Sequence, residues 1–155
     1  MSTHRVGLIS DTHSLLRTEA ISALSDVEHI IHAGDVGDIE ILRTLRRLAP
    51  VTAVRGNVDF SSAFSSLPIT HSVQIGDVLV YVIHIIESLD IDLKAAGYQA
   101  VVYGHSHRPE SRVKDGVTYI NPGSVGPRRF HSPVSMAYLH VDGTTLTVEP
   151  IAFDL

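Results

Sequence analysis

The sequence predicts an α/β protein built from two packed sheets of mixed strands, with helices on the outside. In the first half of the chain, apolar runs alternate with helical patterns, which is typical of parallel strands joined by helical crossovers. In the second half, short segments flank turn signals such as Asp115-Gly116 and Asp142-Gly143, which are typical of β-hairpins. A length of 155 residues predicts a single domain over residues 1–155.

The first half supplies three strands and two helices. The run from Arg5 to Ser10 is short and apolar, as expected for a buried strand. In the segment that begins at Ile39, apolar side chains recur with the helical period until Pro50 ends the pattern. The predicted strands are 5–10, 29–33 and 51–54, and the predicted helices are 15–26 and 39–49.

The second half supplies three hairpins, one further strand and one short helix. The first hairpin turns at Gly76-Asp77, and Gly97 is the expected C-terminal cap of a helix over 87–96. Residues 60–68 and 121–133 are predicted loops. The predicted strands are 70–75, 78–83, 100–103, 110–114, 117–120, 134–141 and 144–150.

Composition excludes several classes of protein. No apolar run reaches the ~18 residues that a membrane span needs, so no membrane contact is expected. The polar start from Met1 to Arg5 leads directly into a strand, so no signal peptide is expected. The chain has no Cys, which excludes disulfides and thiolate metal sites and favours a cytoplasmic location. A formal charge of −5 without a basic run disfavours nucleic acid polymers as partners.

Side chains that can bind metals follow five of the predicted strands. Each has an ordinary alternative: a carboxylate can cap a helix, an Asn can sit in a turn, and a His can lie in a solvated loop. However, the carboxyl ends of strands are where binding sites lie in open α/β sheets. The residues at these ends are Asp11, His13, Asp35, Asn57, His84, His105 and His107.

Seven such side chains are more than one metal ion needs. One octahedral ion takes about six donors. Two ions about 3.5–4 Å apart, sharing one carboxylate, would use all seven together with water. Such a pair bridges a hydroxide and binds two oxygens of a phosphate, so it activates water without a nucleophilic side chain. The lack of Cys and of a Gly-x-Ser-x-Gly motif agrees with this chemistry.

In order and spacing, these motifs resemble the calcineurin-like metallophosphoesterases, and residues 121–128 are similar to their small single-domain phosphodiesterase branch. The motifs are Asp11-x-His13, Gly34-Asp35, Gly56-Asn57-x-Asp59, His84 and Gly104-His105-x-His107. The resemblance implies a four-layer α/β/β/α sandwich. It also implies that Asp11, His13 and His107 hold one metal, that Asn57, His84 and His105 hold the other, and that Asp35 bridges them.

Two positions depart from the pattern of this family. Many relatives have His at the position of Val58, where it contacts the substrate phosphate, so its loss favours substrates with good leaving groups. The family usually has His-Gly-His where this chain has His84-Ile85-Ile86. Two β-branched residues restrict the conformations available next to His84. We therefore expect selective phosphodiester cleavage and a second metal that binds less tightly.

Several further residues have roles with open alternatives. Asp59, predicted as catalytic with Asp35 and Asn57, orients a neighbour or caps a turn. Asp38 is expected at a helix N-terminus, and His32 in the core. Arg128 or Arg129 could contact a substrate phosphate, with Arg128 as the first choice. Specificity is expected from residues 60–68, the loop after His84 and residues 126–133.

The function hypothesis is a phosphodiesterase that uses two divalent metal ions. Mn²⁺ is the first choice of metal, with Ni²⁺, Zn²⁺, Fe or Mg²⁺ as alternatives. The expected substrate is a small phosphodiester, and the expected state is a monomer or a homodimer. One alternative is a non-catalytic scaffold of the same fold, like the retromer subunit. A second alternative is a phosphomonoesterase.

Overall fold

Ten strands form two five-stranded sheets, and each sheet contains parallel and antiparallel pairs. The computed structural model describes residues 3–129 and 131–155; Met1 and Ser2 of the polar start, and Phe130 of the predicted specificity loop, lie outside the described residues. The elements are β1 (Thr3–Ile9), α1 (Thr18–Ala23), β2 (His29–His32), α2 (Ile39–Arg46), β3 (Val51–Ala53), β4 (Thr70–Ile75), β5 (Val78–Ile83), β6 (Ala100–Val102), β7 (Glu110–Lys114), β8 (Val117–Asn121), β9 (Val134–Asp142) and β10 (Thr145–Phe153).

The first sheet has the strand order β10-β9-β1-β2-β3, and the second has the order β4-β5-β6-β8-β7. In the first sheet β1, β2 and β3 are parallel, with Val6 opposite His29 and Ile30 opposite Val51. In the second sheet β5, β6 and β8 are parallel. The fold class that the sequence predicts is confirmed, and so are all ten strands.

The two sheets pack face to face over an apolar core. Leu8 and Leu139 of the first sheet, and Val80 and Val102 of the second, are fully buried in one cluster. Burying a side chain of this size contributes about 1.5–3 kcal/mol, so this layer provides much of the stability of the fold. It also fixes how the strand ends of one sheet face those of the other.

The two helices cover the outer face of the first sheet. Asp38 caps α2 by accepting a hydrogen bond from the Glu40 backbone N–H at 3.0 Å, as the sequence predicts. Leu42 and Leu45 of α2 and Leu24 after α1 are fully buried against the sheet. Within the described residues, no helix has the length and apolar character needed to cross a membrane.

The predicted helix over 15–26 is shorter than expected, beginning only at Thr18. The backbone N–H groups of His13 and Ser14 donate to the carbonyls of Asp35 and Val36 at 2.9 Å. Both residues also have positive φ, at 44° and 70°, which a helix does not allow. The loop after β1 therefore continues as far as Arg17, and the helix begins only after it.

The predicted helix over 87–96 is wrong. The segment contains a 3₁₀ turn at Ile86–Ser88 and one helical hydrogen bond, from the Ala96 N–H to the Asp92 carbonyl. Within residues 87–96 only Leu93 is buried, so the segment lacks the apolar stripe that stabilises a helix by packing. It covers the outer face of the second sheet in irregular form, and Gly97 ends it with a φ of 89°.

Candidate metal centre

The seven metal-binding side chains that the sequence predicts lie at one edge of the two sheets. Asp11 and His13 follow β1, Asp35 follows β2 and Asn57 follows β3, all in the first sheet. His84 follows β5, whereas His105 and His107 follow β6 in the second sheet. Because the parallel strands of both sheets end at this edge, residues far apart in the chain become neighbours.

One group of potential ligands contains Asp11, His13 and His107. Its ligand atoms all lie within 4.8 Å of one another. Asp11 Oδ1 is 3.6 Å from His13 Nε2 and 3.5 Å from His107 Nε2. Asp11 Oδ1 and His13 Nε2 are both buried and have no hydrogen-bond partner among the described residues.

A second group contains Asp35, His84 and His105, again with ligand atoms within 4.8 Å of one another. His84 Nε2 is 3.2 Å from Asp35 Oδ2. The amide oxygen of Asn57 completes this group, because it lies 3.0 Å from His84 Nε2 and 3.1 Å from His105 Nδ1.

Asp35 lies between the two groups. Its Oδ2 atom is 3.2 Å from His84 Nε2 in the second group and 3.4 Å from His13 Nε2 in the first. Its other oxygen, Oδ1, accepts a hydrogen bond of 3.0 Å from the Val58 backbone N–H. One carboxylate therefore reaches both groups while the backbone holds its orientation.

The backbone also determines the tautomer of His84. Its Nδ1 atom lies 2.7 Å from the Ala33 carbonyl, which can only accept, so Nδ1 carries the proton. The other ring nitrogen, Nε2, then faces Asp35 and Asn57 and is the atom that can bind a metal ion. A backbone carbonyl that orients a histidine in this way is the usual support for a metal-binding imidazole.

These residues fit a pair of divalent metal ions. Ligands about 2.1 Å from a common ion are about 3.0–3.4 Å apart in octahedral or tetrahedral geometry. The separations of 3.2–3.6 Å in the two groups are close to this spacing. The buried Asp11 Oδ1 and His13 Nε2 have no hydrogen-bond partner in the part of the chain that the structure describes. A donor set of carboxylate, amide and imidazole suits Mn²⁺, Fe, Ni²⁺ or Zn²⁺.

The ionisation of the carboxylates agrees with this fit. Burial opposes ionisation, but His13 and His84 outweigh it at Asp11, and His84 and the Val58 N–H outweigh it at Asp35, so the pKa of each carboxyl group is lowered. Burial also opposes protonation of His84, yet Asp35 and Asp11 raise the pKa of its imidazole. The cluster is therefore anionic at its carboxylates and attracts a cation.

Five of the seven candidate ligands have a left-handed backbone. The φ angles lie between 44° and 74° for Asp11, His13, Asp35, His105 and His107. Such conformations are costly for residues other than glycine, and they persist only where the surrounding structure enforces them. Their concentration at these strand ends indicates that the loops are shaped to present side chains.

Asp59 enforces part of this loop structure. Its carboxylate is fully buried and accepts hydrogen bonds from the backbone N–H groups of Gly56, Val36 and Gly37 at 2.9–3.0 Å. These contacts join the loop after β3 to the loop after β2. Both oxygens are occupied by backbone donors, so the contacts of Asp59 support a positioning role beside Asp35.

His32, a buried residue at the end of β2, also holds these loops in place through hydrogen bonds. Its Nδ1 atom accepts a hydrogen bond from the Gly34 N–H at 3.1 Å, so Nε2 carries the proton and donates to Thr12 Oγ1 at 3.0 Å. Thr12 in turn donates to the Val36 carbonyl at 2.8 Å. This chain joins the residue between Asp11 and His13 to the Asp35 loop, and it places His32 in the core as the sequence predicts.

The loop over 121–124 supports the ligands from β6 and β1. Asn121 donates to the Gly104 carbonyl at 3.1 Å, and Ser124 donates to the Asp11 carbonyl at 3.0 Å. Both contacts come from the start of the predicted loop over 121–133, but the contact of Ser124 with Asp11 is not predicted from the sequence. The two residues are 113 positions apart, so no sequence spacing signals their contact.

Two pockets flank the centre. One, of about 360 Å³, lies beside Asn57 and His84 and is lined by Phe60, Ile69 and Ile85. The other, of about 460 Å³, lies beside His105 and His107 and is lined by Arg108, Arg129 and His131.

The two arginines of the 126–133 loop lie in different surroundings. Arg129 lines the pocket beside His107, and its charge adds to burial in lowering the pKa of that histidine. Arg128 instead donates to the backbone carbonyl of Leu155 at 3.4 Å. Of the two arginines that the sequence offers for a substrate phosphate, Arg129 is the one beside the candidate ligands.

This architecture is found in proteins of known family. A sequence model of the calcineurin-like phosphoesterase superfamily domain matches residues 5–144. The chain belongs to this superfamily. The predicted resemblance is thereby confirmed. A probable metallophosphoesterase of Methanothermobacter thermautotrophicus is 34% identical over 161 aligned positions, which cover 94% of this chain and 91% of that protein.

Two solved structures extend the comparison. An archaeal phosphodiesterase matches with a TM-score of 0.82 and 26% identity, over 96% of this calcineurin-like chain and 99% of its own. Vacuolar protein sorting 29 from Cryptosporidium parvum matches with a TM-score of 0.78 and 19% identity, over 97% and 98% of the two chains. The second likeness shows the shared fold alone.

Proposed function

We propose that this protein is a phosphodiesterase that depends on two divalent metal ions. The observation that carries the proposal is the position of Asp35 Oδ2, within 3.4 Å of imidazole nitrogens from both ligand groups. The archaeal phosphodiesterase among its structural relatives supports the same class of reaction. The filled ligand set supports it further, because each of the seven predicted positions carries a side chain able to bind metal.

The proposed roles follow the two groups. Asp11, His13 and His107 would hold one ion, Asn57, His84 and His105 would hold the other, and Asp35 would be shared between them. Mn²⁺ is our first choice of metal. Bound divalent ions supply Lewis acidity at the phosphoryl oxygens and a water of lowered pKa.

The residues of the chain position the reactants. Asn57 and Asp35 are held by the loops that Asp59 joins, so their oxygens are fixed before substrate binds. We propose that Arg129, in preference to Arg128, contacts a nonbridging oxygen of the phosphate. Val58 cannot donate a proton to a leaving group, so we expect diesters of acidic alcohols to be cleaved fastest.

A non-catalytic scaffold is the second candidate, and the fold likeness to vacuolar protein sorting 29 favours it. A scaffold would not need the buried Asp11 Oδ1 and His13 Nε2 to face each other with no hydrogen-bond partner among residues 3–129 and 131–155. It would also not need five strained residues at the same edge. These costs are explained by metal binding, so we place the scaffold second.

The decisive experiment is an assay of metal-stripped protein on bis(4-nitrophenyl) phosphate and on 4-nitrophenyl phosphate, with Mn²⁺, Ni²⁺, Zn²⁺ or Mg²⁺ restored. We expect metal-dependent cleavage that favours the diester. Asp35→Asn should abolish it, by roughly 10³-fold or more, because the carboxylate between the two groups is lost. Asp38→Asn is the matched control, since Asn caps a helix as well as Asp does and Asp38 is exposed.

Metal content separates the proposal from its rivals. Wild type and Asp38→Asn should bind two equivalents of Mn²⁺, whereas His105→Ala should bind one. Folded protein that binds no metal and cleaves neither ester would leave the scaffold as the better interpretation. Faster cleavage of the monoester would instead identify a phosphomonoesterase.

A further inference from the structure

The pocket beside the second ligand group is lined in part by apolar side chains that are exposed to water. Phe60 is 86% exposed and Ile69 is 60% exposed, and both line this one cavity of about 360 Å³. Ile85 adds a third apolar wall, directly after the candidate ligand His84. Single exposed apolar residues are ordinary, but a cluster of them around one cavity is typical of a ligand-binding surface.

This pocket is continuous with the candidate metal centre. Asn57 and His84 line the cavity and also belong to the second ligand group. A phosphoryl group held at that centre would therefore direct one of its ester arms into the cavity. Its volume is at the lower end of the range for small-molecule pockets, which suits one or two rings.

The polar residues that line the pocket are Asn57 and His84 of the second ligand group, together with Asp59, Arg55 and Ser88. The carboxylate of Asp59 is already occupied by three backbone donors, so it offers little to a ligand. Arg55 remains at the wall, together with the ring of Phe60. A guanidinium plane and an aromatic face both stack on planar rings. The pocket on the other side of the centre differs in its charged side chains, because Arg108 and Arg129 line it together with His131.

We propose that the pocket formed by Phe60, Ile69, Ile85 and Arg55 binds a planar apolar ester arm of the substrate. The substrate class is then a phosphodiester of which at least one alcohol is an aryl or heteroaromatic group. The inference rests on the proposed phosphodiesterase function and adds the identity of one arm to it. Ile85, where the family usually has glycine, becomes part of the specificity pocket.

The test uses esters of 4-nitrophenyl phosphate whose second arm is methyl, octyl, phenyl or 1-naphthyl. The leaving group is the same in all four, so differences in KM report the second arm. With Mn²⁺-loaded wild type, KM should fall about fivefold to tenfold from the methyl to the naphthyl ester. Phe60→Ser and Ile69→Ser should each remove most of this difference with little change in kcat, and Phe60→Tyr should keep it.

Val113→Ser is the matched control. Val113 is 71% exposed on β7 and is opposite Thr118, away from the end of the strand where Glu110 pairs with Asn121. It should behave like wild type on all four esters. Equal KM values across the series in an active wild type would overturn the inference and leave the phosphodiesterase intact. An octyl ester bound as tightly as the naphthyl ester would overturn the planar arm. No cleavage of any ester would instead contradict the proposed function.

Discussion

Single atoms set how closely the loops of the centre approach one another. Gly104 has no side chain, and a Cβ atom at this position would overlap Ser10 Oγ and lie 2.7 Å from Asp11 Oδ2. Asp11 Oδ2 also accepts a hydrogen bond from the His105 N–H at 3.2 Å. The loops after β1 and β6 therefore touch at a point where only glycine fits.

Gly104→Ala should destabilise the protein by about 1–3 kcal/mol, the usual cost of overpacking. It should also weaken metal binding, because Asp11 must move. Denaturant unfolding and Mn²⁺ titration measure the two effects. Adding Ser10→Ala removes the hydroxyl that the new methyl group overlaps, so the double variant should regain part of the stability. No regain would mean that the overlap with Ser10 is not the cause.

His32 should make the metal-free protein sensitive to mild acid. Burial lowers the pKa of His32 to about 4, against the opposing charges of Asp11 and Asp59. Because the folded-state pKa is below the unfolded value of about 6.5, the unfolded chain takes up a proton first as pH falls. Above about pH 6.5, His32 is neutral in both states and does not reduce the free energy of unfolding. As pH falls towards 4, the free energy of unfolding decreases progressively, by up to about 3 kcal/mol.

The measurement is the free energy of unfolding with chelator present at several values between pH 7 and pH 4. His32→Gln keeps a donor for Thr12 and does not titrate, so its stability should fall less over this range. Histidines other than His32 are common to both proteins and cancel in the comparison. Parallel curves for the two proteins would contradict the prediction.

At the scale of elements, Asp59 joins the loop that carries Asp35 to the loop that carries Asn57. Asp59→Ala would leave three buried or half-buried N–H groups without acceptors, so it should cost at least about 3 kcal/mol and impair both metals. Asp59→Asn can still serve the Gly56 and Val36 donors and should cost about 1–2 kcal/mol. Thermal unfolding and metal content check this order. Equal losses in the two variants would mean that the acceptor count is not what matters.

The strands could be predicted from the sequence, and the helices only in part. Most strands are apolar runs that end at a turn or polar residue, as Val78–Ile83 does before His84. The exposed and largely polar β7 is instead indicated by the Asp115-Gly116 turn that follows it, so local pattern is sufficient. The predicted helix over 87–96 fails because apolar character there does not form a buried stripe. The first helix begins late, at Thr18, because the preceding residues His13 and Ser14 form hydrogen bonds with the Asp35 loop, which local sequence does not reveal.

The candidate ligands could be predicted because parallel topology alone brings strand ends together. The residues that hold the ligand loops in place could not be predicted in this way. The Ser124 hydroxyl reaches the Asp11 carbonyl across the whole domain, and Thr12 joins His32 to Val36 between three loops. The choice between Arg128 and Arg129 also depends on the chain end, because Leu155 accepts a hydrogen bond from Arg128. Such contacts follow from the packed fold and leave no spacing in the sequence.

At the scale of the whole molecule, the candidate ligands come from both sheets. Asp11, His13 and Asp35 extend from the first sheet, whereas His84, His105 and His107 extend from the second. Away from this edge the sheets are held together by apolar side chains such as Leu8 and Val102. Metal ions at the edge would therefore connect the two sheets and stabilise the folded state as a whole.

Mn²⁺ should raise the melting temperature of the metal-stripped protein. At a free Mn²⁺ concentration of a hundred times Kd, binding at one site adds about 2.7 kcal/mol to the free energy of unfolding. This corresponds to an increase in melting temperature of about 5–10 °C for a domain of this size. A thermal shift titration with Mn²⁺ measures the increase, and excess chelator should reverse it.

Asp35→Asn should show little of the increase because the carboxylate of Asp35 faces both ligand groups, whereas Asp38→Asn should show all of it. Since each group draws ligands from both sheets, His13→Ala and His105→Ala should each retain part of the shift. A wild type whose melting temperature does not respond to any divalent metal would contradict the idea that metal ions connect the sheets at this edge.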